Sequence, residues 1–321
     1  MKTDRARLRH DLRTAMTIEL ATLPTYLYTM MTLRPDRAPA RQAIGLIRRV
    51  AYEEMLHMAL VGNLINALGF ETAITDPAYV PDFTQPLPLP GHSTTSNPFT
   101  VVLRPFGPEA IATFLDIELP AYDDPGQPTT EGWATIGQFY QGIEAELPTD
   151  DAAYGHGRQM AARGNPAAGV LFAITSHATA VAALSEIVHQ GEGLGQGHEN
   201  DGDHELSHYW RFKEVETLLT SGQIDLARDV LPVVADPYAH LGAYTEAQQA
   251  ANRAFNIAYS ELLDALQATF TSAAPEVYGA STAAMEAMPQ KAAVLRALGP
   301  IPGTDRLAGP TFEYLPRGAR G

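Results

Sequence analysis

Two acids and a histidine stand where a helical bundle needs hydrocarbon. Walked at alternating steps of four and three, the first apolar seam reads Leu8, Leu12, Ala15, Glu19, Thr22, Tyr26, Met30 and Leu33. The second follows the RPDRAP break and reads Ile47, Val50, Glu54, His57, Val61, Leu64 and Leu68, closing near Gly69. A charge facing a bundle core costs on the order of several kcal/mol unless it is paired, hydrogen-bonded or coordinating a cation. Glu19, Glu54 and His57 therefore demand an interior that can use them. The neighbouring Glu53 falls off the seam and is expected to be solvated. The first helix should run from about Asp4 to Leu33, kinked or broken near Leu23 by Pro24. The short break makes the two helices antiparallel neighbours.

The rest of the chain supplies more helices and one long interruption. From Glu71 to Pro108 there are eight prolines and no helical period, with a short strand expected in FTVVLRPF. Helices are expected in GPEAIATFLDIELP, in TEGWATIGQFYQGIEAEL up to Pro148, and in NPAAGVLFAITSHATAVAALSEIVHQ. A fifth, from about His204 to Ser221, has the seam Glu205, His208, Phe212, Val215 and Leu219. Two amphipathic helices follow, TEAQQAANRAFNIAYSELLDALQATF and PEVYGASTAAMEAMPQKAAVLRALG. This predicts an all-α chain forming one domain over residues 1–321. Its bundle core covers about 4–221 with an irregular excursion at 70–131, extra helices occupy about 240–298, and residues 299–321 form an irregular tail.

Glu-x-x-His puts a carboxylate and an imidazole on one helix face, where both can reach an ion on the bundle axis. A glutamate from each of two helices and a Glu-x-x-His from each of two others is the plan of ferritin-like two-metal sites. Glu19 with Glu54/His57 supplies half of that plan and Glu205/His208 another quarter. Glu144, one turn after Tyr140 and beside the seam residue Ile143, is the choice for the remaining glutamate. Tyr26 and Tyr140 are placed near the metal. Glu186/His189 repeats the spacing, but Glu186 points away from its seam and reads as solvated. His177 lies on that seam and reads as a core histidine with a hydrogen-bond partner. His198, Glu199, Asp201 and Asp203 read as a solvated loop, since their spacing does not fit a calcium-binding loop.

Composition removes other chemistries. The absence of cysteine excludes disulfides, thiolate metal sites, iron–sulfur clusters and thiol nucleophiles. A net charge of −15 without a basic stripe argues against nucleic acid. The opening MKTDRARLRHDL has no apolar core of a signal peptide, and no run approaches a transmembrane length. The expectation is a cytoplasmic protein with no membrane partner, with self-association left open. No Gly-rich phosphate loop or nucleophile elbow is present.

The stretches TIELATLPTYLYTM and YEEMLHMALVGNLINALG, followed in order by FLDIELP, IGQFYQGIEAEL, IVHQGEG and HELSHYWRF, resemble the ferritin-like domain family of the iminophenyl-pyruvate dimer synthases. Those enzymes act in violacein- and rebeccamycin-type pathways. The likeness spans most of Asp4 to Ser221. It implies a ferritin-like bundle binding non-haem iron as two ions, with manganese as the alternative. Carried over by motif, the ligand set is Glu19, Glu54, His57, Glu144, Glu192 and His208. Glu192, from the Gln-Gly-Glu-Gly box, competes with Glu205 for the place beside His208, and both stay open. Glu118 in DIELP matches a motif position and is expected to support the site from outside the ligand set or to be structural.

The dimer synthases are much longer proteins, so the resemblance implies the metal site and a specialised-pathway setting rather than imine dimerisation. The expected function is a non-haem, di-iron oxidoreductase that uses dioxygen or peroxide to oxidise or couple a small, amino-acid-derived substrate. The excursion around Pro77 to Pro105 would wall its pocket. The alternatives are an iron-binding ferroxidase without an organic substrate and a non-catalytic pathway partner.

Overall fold

Asp4 starts the first helix by accepting the free backbone N–H groups of Ala6 and Arg7 at 3.0 and 3.2 Å. In the computed structural model, which describes residues 4–84, 87–88, 100–121, 128, 130–161, 169–193, 199–200, 205–272 and 275–320, ten α-helices follow in order. They are α1 (Arg5–Met31), α2 (Ala38–Ala67), α3 (Pro108–Ile117), α4 (Ile136–Glu146), α5 (His177–Glu192) and α6 (His208–Thr220). Two one-turn helices, α7 (Leu226–Asp229) and α8 (Pro237–His240), precede α9 (Glu246–Ser272) and α10 (Pro275–Arg296). The described strands are a pair of dipeptides, β1 (Leu87–Pro88) antiparallel to β2 (Thr100–Val101). The chain is all-α, and no described helix is long and apolar enough to cross a membrane.

α1 and α2 pack along their length, and α2 is the axis of the fold, touching α1, α5, α6 and α9. From Glu53 to Ala67 every residue of α2 is buried. Over that stretch the helix has no solvated face, which overturns the expectation for Glu53: it is 2% exposed. α2 ends where Gly69 takes a left-handed conformation (φ 73°) and Phe70 N–H reaches back to Ile65 O at 3.0 Å. Pro24 does not break α1, which is assigned as continuous helix across it. Tight packing against α2 holds the segment. Nearby carbonyls of Glu19 and Ala21 gain hydroxyl donors from Thr22 at 2.7 Å and Thr25 at 2.8 Å.

Two other helices start later than periodicity suggests. α5 begins at His177, because Ser176 and Thr179 form a capping box there. The preceding segment gives its backbone to side chains instead: Gln159 brackets Ile174, and Asn63 Nδ2 donates to Phe172 O at 2.8 Å. α6 begins at His208, after Ser207, so Glu205 lies outside the helix and shares no helical face with His208. His204, His198, Asp201 and Asp203 lie outside the described residues; Glu199 is exposed.

The C-terminal helices α9 and α10 pack on each other and against α1 and α2. Residues 299–316 are irregular but tied down. Asn252 and Asn256 of α9 donate to Thr311 Oγ1 at 2.9 and 2.7 Å, and Phe312 is buried against Phe255 and Tyr259.

Asn63 is fully buried and satisfies three backbone groups, the carbonyls of Met160 and Phe172 and the N–H of Met160. Replacing it by alanine orphans them, and Asn63→Ala is expected to lower stability by about 2–4 kcal/mol in urea unfolding.

Candidate metal centre

The site grows from the middle of α1 and α2. Glu19, Glu54 and His57 are each at most 3% exposed. His57 Nδ1 lies 3.4 Å from Glu19 Oε2 and 3.9 Å from Glu54 Oε2. Glu54 turns its other oxygen to His208, whose Nδ1 is 3.1 Å away. Glu118, at the C-terminus of α3, approaches the same Nδ1 from a different side at 3.5 Å. The two imidazoles lie nearly parallel with ring centres 5.2 Å apart. One oxygen of Glu54 thus faces each histidine, with Glu19 beside His57 and Glu118 beside His208.

Both rings are held from behind. His57 Nε2 is 2.9 Å from Gln190 Oε1, and Gln190 Nε2 donates to Glu186 Oε1 at 2.9 Å. An amide that donates with its nitrogen must accept with its oxygen, so His57 carries its proton on Nε2. His208 Nε2 is 2.9 Å from Glu53 Oε2, and a carboxylate held by Arg211 can only accept. His208 is therefore also protonated at Nε2. Each Nδ1 lone pair is left pointing among carboxylates. His208 Nδ1 is close to Glu54 and Glu118 but misaligned for an N–H···O bond, and it is a buried polar atom without a hydrogen-bond partner. A buried, unpartnered imidazole nitrogen facing two carboxylates is a donor set that fits a cation.

Glu192 sits in the last turn of α5, buried, with one oxygen accepting Gly137 N–H and the other Ala121 N–H, both at 2.8 Å. Gly137 is in the first turn of α4, whose free amides and dipole favour an anion. A Cβ on Gly137 would collide with the Glu192 carboxylate, so only glycine allows the approach. Tyr140 donates to Glu19 and Tyr26 donates to Glu118. Tyr26 is wedged against Phe114 and Phe212, with ring centres 4.6 and 5.0 Å away.

Glu19, Glu54, His57, Glu118, Tyr140 and Glu192 line a narrow cavity of about 20 Å³ together with Ile18, Ile117, Ile136, Ile187 and Val188, with His208 and Tyr26 just behind Glu54 and Glu118. That is room for one or two water-sized groups. Its lining contains four glutamates and no lysine or arginine. Burial pushes Glu54 up to about 8, helped by the adjacent charge of Glu19, and burial pushes Glu192 up to about 7. Burial alone would depress His208, but Glu118, Glu53 and Glu54 outweigh it and raise its pKa well above the usual range. Glu19 goes the other way: burial opposes its ionisation, and the His57 contact overcomes this and lowers its pKa. Without cations, the centre collects protons in their place.

Several expected residues are placed differently. Glu144 is half-buried on α4 and absent from the cavity lining. The phase of α4 turns Tyr140 and Gly137 to the cavity instead. Glu205 faces outward, in ion pairs with Arg49 and Arg211. Of the two residues competing for a place beside His208, the structure brings Glu192 to the cavity. Glu118 approaches the histidine directly. Glu53 buttresses His208 rather than meeting solvent. Glu186 is half-buried and reaches the site through Gln190, and His177 bonds Pro148 O at 3.0 Å. No described residue of the excursion around Pro77–Pro105 lines the cavity. Gln190 carries no spacing signal, but it is the first residue of the Gln-Gly-Glu-Gly box.

Together these features define an all-α bundle with a carboxylate–histidine cluster suited to holding metal on its axis; among the described residues, Glu54, His57 and His208 each offer a ligand atom within 4.8 Å of the others. Residues 12–217 match the Ferritin-like family model, and the chain belongs to that family. It is 24% identical over 269 residues to a 2-imino-3-(indol-3-yl)propanoate dimerase of Chromobacterium violaceum, an alignment covering 73% of this chain. The chain spans only 25% of that protein's length. A ferritin-like protein from Caulobacter vibrioides has the same fold, with a TM-score of 0.67, 23% identity, and coverage of 97% of this chain and 98% of the other.

Two outcomes test this geometry. Gly137→Ala is expected to displace Glu192 and weaken divalent-metal uptake, measured by equilibrium dialysis, while the helical circular-dichroism spectrum is retained. The metal-free protein is expected to lose thermal stability as pH rises from about 5 to 8. Glu54 and Glu192 keep protons in the native state that they release in the unfolded chain above about 4.5, so stability falls as pH climbs through the window. The raised pKa values of His57 and His208 act in the same direction, since their contribution is lost as pH rises. Melting curves at pH 5 and 8 check the sign, and an added divalent cation should reverse the loss at pH 8.

Proposed function

We propose that the protein is a non-haem, two-iron oxidoreductase in which Glu54, standing between His57 and His208, would serve both ions. The observation that carries this is the placement of Glu54, one oxygen toward His57 and the other toward His208. Glu19 and His57 would hold one ion, and Glu118 and His208 the other, with Glu192 lining the same cavity. The charges agree: four carboxylates and two neutral imidazoles balance two divalent cations. Oxygen and imidazole donors suit iron or manganese. Iron bound there would supply electrons to dioxygen or peroxide and so furnish oxidising equivalents.

The protein's own groups prepare that chemistry. Tyr140 and Tyr26 each donate to one carboxylate, fixing its orientation and offering a proton at a phenolic oxygen beside the centre. Isoleucines at positions 18, 117, 136 and 187 keep bulk water away. The cavity's half-buried walls are Ile136 and Val188, so a substrate would arrive between the first turn of α4 and the last turns of α5. The likeness to a dimerase of an imino acid supports an amino-acid-derived substrate.

A second reading, a ferroxidase without an organic substrate, is favoured by the narrowness of the cavity, about 20 Å³. Anaerobic loading with Fe²⁺ followed by elemental analysis is expected to give two ions per chain, and Glu54→Ala at most one. A chain that takes up no transition metal overturns the proposal. Oxygen consumption that stops after two irons per chain, and resumes when an imino acid is supplied, supports the oxidoreductase. Continued turnover on excess Fe²⁺ alone supports the ferroxidase.

A further inference from the structure

The two halves of the centre have the same composition but different support. One half is His57, Glu19 and Tyr140; the other is His208, Glu118 and Tyr26. Each is a histidine facing a glutamate that accepts from a tyrosine, and Glu54 stands between them. Behind the imidazoles the symmetry ends. His57 donates to the neutral amide of Gln190, which is 3% exposed. His208 donates to the carboxylate of Glu53, which is 2% exposed.

A carboxylate accepting the distal N–H draws that proton toward itself and makes the opposite nitrogen a stronger donor; a neutral amide does so far less. Arg211 and Arg49 contact Glu53 and moderate its charge, but both also contact Glu205, so Glu53 does not carry two cations alone. Gln190 has its nitrogen on Glu186, so the negative charge on the His57 side is one residue further from the ring.

We infer that Glu53 and Gln190 are positioning residues that make the two metal positions unequal, the His208 side binding its ion more tightly and the His57 side being filled last and emptied first. This deepens the two-ion reading and rests on it. A centre built this way keeps one ion in place and leaves the other exchangeable.

The test is an anaerobic calorimetric titration of the metal-free full chain with Co²⁺. Wild type is expected to bind two ions in separate steps. Glu53→Gln should weaken the tighter step by about 10- to 100-fold and close the gap. Exchanging amide and carboxylate on the other side, Gln190→Glu together with Glu186→Gln, should tighten the weaker step by a similar factor. A gain of affinity is not what structural damage produces, so the exchange remains informative if Glu53→Gln folds poorly. Two ions with equal constants in wild type, or an exchange that leaves the weaker step unmoved, overturns the inequality while leaving the two-ion reading intact. Uptake of fewer than two ions overturns the two-ion reading beneath it.

Discussion

The structure depends on one electrostatic problem, four carboxylates buried around a cavity whose lining holds no lysine or arginine. An isolated buried carboxylate is costly, and four of them repel one another in a medium that screens poorly. The protein answers with protons where it must, as the raised pKa values of Glu54 and Glu192 show, and with directed donors elsewhere. Tyr140 is given to Glu19, Tyr26 to Glu118, and two backbone N–H groups to Glu192. None of these donors carries a full positive charge. A site that wanted a stable ion pair would use arginine, as Glu53 does with Arg211 one layer further out. Confining guanidinium groups to that outer layer keeps the inner carboxylates available to a cation from outside.

Much of this was legible in the sequence because a charge on an apolar seam is a strong signal. Glu19, Glu54 and His57 are set by helical phase alone, and the structure brings them within ion-pair distance. Phase failed where its assumption of one buried face failed. α2 is enclosed by four other helices, so Glu53 is as buried as Glu54. It failed again at Glu205, because the seam was extended past the true start of α6 at His208. Glu144 shares a turn with a seam residue, yet α4 offers the cavity its first turn and Tyr140.

Glu118 and Glu192 mark the limit of periodicity. Both lie at helix C-termini, the cap of α3 and the last residue of α5, where no repeat follows to define a face. Motif resemblance pointed to Glu192, and the structure shows what such a motif encodes. The glycines of Gln-Gly-Glu-Gly and of the α4 start let two backbones approach a carboxylate. Gly191 brings the turn beside Glu118, and Gly137 presents its amide to Glu192. Such information lies in the absence of side chains and leaves no hydrophobic period.

The size of the cavity then bears on how such a centre selects what it reacts with. A volume of about 20 Å³ is room for one or two water-sized groups between the helices that line it. The wall nearest solvent joins the α4 start to the α5 end, and it is there that Gly137 and Glu192 interlock. Glu192 takes hydrogen bonds from two backbone N–H groups, whereas Glu19 and Glu118 accept from tyrosines and Glu54 from Thr22. It is therefore the carboxylate whose position is tied to the wall, while Glu19, Glu54 and Glu118 are tied to the centre itself.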